Sequence, residues 1–345
     1  MRWLAVLSCL AAFSCGVSAL AADSAVVLMY HRFGDDRFPS TNIRVEQLEA
    51  HLEHLKTSGY TVVSLTALMK ALEQGEPLPD QAVVITVDDA YRSVAEVGHP
   101  IFRRYGYPYT VFVATDGVDE GIPDYMSWDQ MRALEADGVL FANHGASHAS
   151  LIDRSQSPGD HLAWARADVE KGMARLREEL DPVEGVFAYP YGEFNDDIVD
   201  IVEDLDYALA FGQHSGAVGP MSHRYTLPRF PMNETYATID QFRTKVASLP
   251  LPVESVAPAD NEIVTRLPLI EVELASGIDS GEFGGLACFV GGQGRVGVDW
   301  LVRNERFRVG PERPLSPGRN RVNCTAPAGG GRYYWYSHPW FIVDP

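Results

Sequence analysis

Two adjacent carboxylates, Asp88 and Asp89, close the apolar run Ala82-Val-Val-Ile-Thr-Val87. Burying charge at the end of such a run is costly without a partner. Two like charges at this range are stable together only with a cation or hydrogen bonds between them. A second pair, His144 and His148, follows another apolar run, Val139-Leu-Phe-Ala142. One carboxylate and two imidazoles make a three-ligand metal site with a position left for water, and the other carboxylate is then free to act as a base. That is hydrolase chemistry. Each signal also has a plainer reading: a solvated acid pair with Asp89 capping a helix, and an i, i+4 histidine spacing that helices carry by chance. Their shared position at strand ends favours the metal.

Neighbouring residues of a regular strand point to opposite faces, so Asp88 and Asp89 can serve one site only if the chain already turns at Ala90-Tyr91. The surrounding pattern supplies the frame. Between about residues 25 and 247, short apolar runs alternate with helical periodicity: 26–30, 61–63, 82–87, 109–113, 139–142, 186–188 and 207–211 read as strands. Val45, Leu48, Leu52 and Leu55 mark one helical face, stopped by Gly59, and Leu162, Val169, Met173, Leu176 and Leu180 another. Ser127-Trp-Asp-Gln130 has the form of a capping box. Strand–helix alternation predicts an α/β domain with a parallel sheet, open or closed into a barrel. His31, Asp88, His144 and Tyr189-Pro-Tyr191 all fall at strand ends, where α/β sheets and barrels place their sites.

The pattern changes at Leu249-Pro-Leu-Pro252, beyond which β-type runs (269–274, 296–301, 332–336) alternate with Gly/Pro turns. This predicts an all-β sandwich of immunoglobulin-like type. The start of the chain, Arg2 followed by an apolar stretch and Ala19-Leu-Ala21, reads as a signal peptide over 1–21, too short and too early for a membrane span. The expected division is a signal peptide over 1–21, an α/β domain over 22–249 and a β-sandwich over 250–345, with a secreted or periplasmic location. Cys288 and Cys324 remain after the leader; in an oxidising compartment they can pair, or stand as two buried thiols. A formal charge of −19 argues against nucleic-acid binding, which requires basic patches.

With four ordered motifs in hand, residues 25–245 resemble the polysaccharide deacetylases, the NodB-homology enzymes of carbohydrate esterase family 4. Thr86-Val-Asp-Asp89, His144-Gly-Ala-Ser-His148 and Ala188-Tyr-Pro-Tyr191 resemble three of their motifs, and the opening Met29-Tyr-His-Arg32 resembles the circularly permuted poly-N-acetylglucosamine deacetylases. The resemblance implies a distorted (β/α) barrel in which Asp89, His144 and His148 hold a divalent metal, most plausibly Zn2+. It also implies Asp88 as general base, His31 as general acid and the Tyr191 backbone N–H as an oxyanion donor. The motif arginine that orients the catalytic Asp is Ala188 here. Arg229, in Leu227-Pro-Arg-Phe-Pro231, is the candidate substitute, with a surface salt bridge as its plainer reading. His214 is a second candidate acid. The expected reaction is removal of N-acetyl groups from an N-acetylglucosamine polysaccharide, exopolysaccharide favoured, with an exopolysaccharide synthesis or export protein as a possible partner. The alternatives are a deacetylase of chitooligosaccharide, peptidoglycan or O-acetylated sugar, and a non-catalytic sugar-binding protein that keeps its metal. Tyr333-Tyr-Trp-Tyr336 and Trp340-Phe341 could stack on sugars, but core or interdomain packing is the expectation.

Overall fold

Six consecutive buried residues, Ala82–Val87, form the central strand of the larger sheet in a computed structural model that describes residues 24–157, 159–275 and 282–343. The proposed leader lies outside the described residues. Near-continuous apolar runs are what parallel strands covered on both faces require. Ala25–Tyr30 (β1), Thr61–Val63 (β2), Ala82–Val87 (β3), Thr110–Val113 (β4), Leu140–Asn143 (β5), Val183–Ala188 (β6) and Leu209–Phe211 (β7) are parallel. Ala217–Val218 (β8) adds antiparallel to β1, and Phe230–Pro231 (β9) adds parallel to it. The sheet runs β8-β1-β3-β4-β5-β6-β7, with β2 beside β3 and β9 beside β1.

This curled half-barrel has its two ends, β7 and β1, drawn together by one stretch of chain. Leu227 exchanges backbone bonds with β7 (Leu227 N to Ala210 O, 2.9 Å; Gly212 N to Leu227 O, 3.0 Å), and three residues later β9 pairs with β1. Arg229 lies between these two attachments.

The helices form on the expected faces. Val45–Thr57 buries Leu48, Leu52 and Leu55, and Trp128–Ala136 opens on the Ser127/Gln130 capping box. Helix His161–Glu179 buries Val169, Met173 and Leu176, and Leu180 is buried as its C-cap, but Leu162 is 41% exposed, so the buried stripe starts later than its periodicity predicts. It includes three residues outside that pattern, Ala165, Asp168 and Gly172.

Beyond residue 249 the chain is β. One sheet contains 249–250, 333–342, 318–327, 287–290 and 294–296, with 262–263 beside 333–342; the other contains 253–257, 270–274, 306–309 and 299–302. Ile270, Val272, Leu274 and Phe307 from the second sheet share a core with Val290, Val322 and Trp340 from the first. The run 296–301, read as one strand, is two, Gly294–Val296 and Asp299–Val302, in different sheets. Cys288 and Cys324 are disulfide-bonded across paired positions of neighbouring strands. They therefore staple one sheet and do not tie the two sheets together as in an immunoglobulin domain.

The aromatic run divides by strand alternation. Tyr334 and Tyr336 pack on the sandwich core, while Trp335 meets Phe230 edge-on at 5.1 Å, and Trp340 and Phe341 are buried. Polar contacts also join the two halves: Asn195 donates to Glu262 at 2.6 Å, which also pairs with Arg154, and Arg319 donates to the Tyr191 carbonyl at 2.9 Å.

Candidate active site

The C-terminal ends of β1, β3, β5 and β6 present His31, Asp88, His144 and Tyr189 respectively, so sheet order alone brings these segments side by side. At the end of β3 the backbone leaves the strand conformation: Asp89 and Ala90 have φ of 72° and 56°. Non-glycine residues rarely adopt this region. The turn lets two consecutive carboxylates escape strand alternation and reach one place.

Asp89, His144 and His148 bring one ligand atom each to within 4.8 Å of one another. His148 Nε2 is 3.0 Å and His144 Nε2 3.4 Å from Asp89 Oδ1. The histidines do not share a helical face: they lie on a loop after β5, where Gly145 and His148 have φ of 77° and 57°. Loop curvature, not the 3.6-residue period, closes the i, i+4 gap.

The donor set fits a metal ion. His144 Nδ1 is 2.6 Å from the Ala188 carbonyl, which can only accept, so Nδ1 carries the hydrogen and Nε2 presents a lone pair. Both His144 Nε2 and Asp89 Oδ1 are buried without a hydrogen-bond partner. Two facing acceptors repel unless a cation lies between them, and metal bonds of about 2.0–2.2 Å on either side span such a gap. Burial pushes the Asp89 carboxyl up, but the two facing imidazoles prevail and hold it well below the ordinary range.

Asp88 is engaged differently. Arg229, fully buried, donates Nη1 to Asp88 Oδ1 at 2.6 Å and Nη2 to Oδ2 at 2.8 Å. The same guanidinium donates to Thr86 Oγ1 and the Gly212 carbonyl, and is flanked by the rings of Phe112 and Phe211. Burial raises the Asp88 pKa; Arg229, with His144 and His31, outweighs it and keeps the carboxyl below its ordinary value. His31 Nε2 lies 4.0 Å from Asp88 Oδ2, and burial lowers its pKa against the pull of both carboxylates. The Tyr191 ring centroid is 4.8 Å from that of His148, and Tyr191 sits in a one-turn helix after Pro190 with φ 58°.

All seven residues singled out in the sequence, His31, Asp88, Asp89, His144, His148, Tyr191 and Arg229, therefore lie in one connected cluster. His214 does not join it: its ring packs 6.1 Å from Phe194 and lines a cleft against the sandwich. Two supporting residues escaped sequence reading. Asp168 accepts the Ala146 and Ser147 amides, both at 3.0 Å, and Asn143 accepts the Gly145 amide at 3.0 Å. An acid and a glycine inside a buried helical stripe, Asp168 and Gly172, were the signal available. A Cβ on Gly145 would lie 2.7 Å from Asp168 Oδ2, and one on Gly172 2.4 Å from Asn143 Oδ1. At its positive φ and this distance from Asp168, Gly145 stands where the loop leaves no room for a side chain.

Comparison with known proteins agrees with this arrangement. Residues 75–210 match the polysaccharide deacetylase family. A poly-β-1,6-N-acetyl-D-glucosamine N-deacetylase of Staphylococcus aureus (strain N315) is 23% identical over 232 residues, covering 61% of this chain and 80% of the relative. Among solved structures, IcaB from Ammonifex degensii aligns with a TM-score of 0.57 at 24% identity, over 65% of this chain and 97% of that one. A Streptococcus pyogenes deacetylase, PplD, aligns with a TM-score of 0.58 at 21% identity, over 65% and 99%. The matched segment is similar to a polysaccharide deacetylase domain of the NodB-homology, carbohydrate esterase family 4 class. Poly-β-1,6-N-acetyl-D-glucosamine N-deacetylases are among the relatives to which the chain is similar.

Proposed function

We propose that the protein is a metal-dependent hydrolase that removes N-acetyl groups from an N-acetylglucosamine polysaccharide, an exopolysaccharide in the first instance. The observation that carries this reading is the division of labour between adjacent carboxylates: Asp89 faces two histidines, whereas Asp88 is held by Arg229 beside His31. Asp89, His144 and His148 would hold the ion, and an oxygen–imidazole set of three suits Zn2+. When bound, such an ion acidifies water and polarises the acetamide carbonyl.

The chain's own groups supply the rest. Asp88, ionised and acceptor-only, takes the proton from the attacking water. Arg229 fixes both carboxylate oxygens, so the base neither rotates nor protonates readily. His31 gives a proton to the departing amine. The Tyr191 backbone N–H, in its tight turn after Pro190, donates to the developing oxyanion. The leader at 1–21 directs export, the chain divides at about residue 249, and the second unit is an immunoglobulin-like accessory sandwich that could meet a synthesis or export protein. No described helix is long and apolar enough to cross a membrane.

Acetate release from poly-N-acetylglucosamine, chitooligosaccharides and peptidoglycan, measured in parallel with and without chelator, tests the proposal. The expected result is strongest release from the first, abolished by chelator and restored by Zn2+. Undiminished turnover after complete metal removal, or no acetate from any substrate, would overturn it.

A further inference from the structure

A cleft of about 880 Å3 lies between the deacetylase sheet and the sandwich, outside the cluster that contains Asp88, Asp89 and the metal-site histidines. Its lining combines two chemistries: the acids Asp196, Asp200 and Glu203 of helix Asp196–Asp204 with Glu254 from the sandwich, and the indole of Trp335 with the prolines 250 and 252. No lysine or arginine lines the cleft, and none of these four acids pairs with one among the described residues. Burial and the neighbouring carboxylates of Asp260, Asp200 and Asp197 push the Asp196 carboxyl up, as expected of acids whose charge is not compensated. The two buried histidines of the wall do not compensate it either, because burial holds His214 down to about 3 and His338 to about 4, both neutral near pH 7. His223 also lines the cleft and is exposed.

A lining of uncompensated acids, one indole and prolines selects a ligand that is cationic and also has apolar faces. A bare metal ion uses only the first feature and a neutral sugar only the second. A glucosamine unit has both: an ammonium for the carboxylates and a pyranose face for the rings. We infer that this cleft is a second carbohydrate site, which takes β-linked glucosamine, the de-N-acetylated segment of the polymer. The inference rests on the deacetylase reading, since that reaction turns a neutral acetamide into the ammonium that the cleft would hold. Retaining the modified segment there while the active site works on an acetylated one would keep the enzyme on a single chain.

The test is equilibrium binding, independent of turnover. Isothermal titration of the full-length protein with a glucosamine tetramer, its fully N-acetylated counterpart and tetralysine is compared between wild type and an Asp200→Asn, Glu203→Gln double variant. Both residues are exposed on a helix, and neither belongs to the catalytic cluster. The expected result is that the glucosamine tetramer binds wild type about tenfold more tightly than the acetylated one, and that the double variant weakens it about tenfold. Acetate release from a short substrate should stay unchanged in that variant. Equal affinity of wild type and variant for the glucosamine tetramer would overturn the inference. Equal affinity for tetralysine would overturn it too, making the cleft a site for cationic peptide. Absence of acetate release would instead count against the deacetylase reading, and the binding result would still be read separately.

Discussion

Arg229 and Asp88 form a buried pair in which each charge depends on the other. Removing one partner of such a pair strands the other, at about 3–5 kcal/mol. Arg229→Met should therefore lower stability by about that amount, seen as a shift in the urea midpoint, and should abolish acetate release. Arg229→Lys keeps the charge but not the two-pronged geometry, so the protein should stay folded while kcat/KM falls about 10–100-fold. An unaltered kcat/KM in the lysine variant would mean that the fork is not needed to orient Asp88. Asp88→Asn should eliminate turnover and leave metal content intact, whereas His148→Ala should lose the metal. Metal analysis of both variants separates base from ligand.

The loop after β5 works as a unit with helix His161–Glu179. Asp168 takes two loop amides and Gly172 lets the loop settle against the helix, so the histidines are aimed by an element distant in sequence. Gly145→Ala adds a side chain at φ 77° and places it against Asp168. The expected cost is about 2 kcal/mol from the left-handed backbone and the displaced carboxylate, with metal affinity at least tenfold weaker. Asp168→Asn should weaken metal binding by a similar factor with a smaller effect on melting. Zinc titration and thermal melts of both variants check this; unchanged zinc affinity in Asp168→Asn would make its role purely one of packing.

Three buried imidazoles link the stability of the entire chain to pH. His51, stacked on Phe242 at 3.8 Å, is held down to about 4, His338 to about 4 and His214 to about 3, all by burial. The unfolded chain takes up these protons below about pH 6.5 while the folded chain does not. Stability is therefore full above that pH and is lost as pH falls towards 4. His148, raised by Asp89 after burial is offset, acts in the opposite sense in the metal-free protein, while His31, lowered by burial, acts in the same sense as the three. Urea unfolding of the metal-free protein should show a loss on the order of 5 kcal/mol between pH 7 and pH 5; equal stability at the two values would show that these histidines titrate normally.

The strands and most helices were legible because parallel strands buried on both faces are continuous apolar runs, while amphipathic helices repeat their chemistry every three to four residues. The residues that cluster were legible for a related reason: Asp88-Asp89 and His144/His148 are short-range patterns at strand ends, and Met29-Tyr-His-Arg32 sits at another. The long-range closures were not. That Arg229 reaches Asp88, 141 positions away, follows from the chain returning between β7 and β1, and composition alone equally allowed a surface salt bridge. The same holds for Asp168 beneath the histidine loop, for the separation of His214 from the site, and for a disulfide within one sheet. Local order and residue type are written into the chain one turn or strand at a time. Which charge meets which depends on how the sheet curls, and only the packing of distant segments settles that.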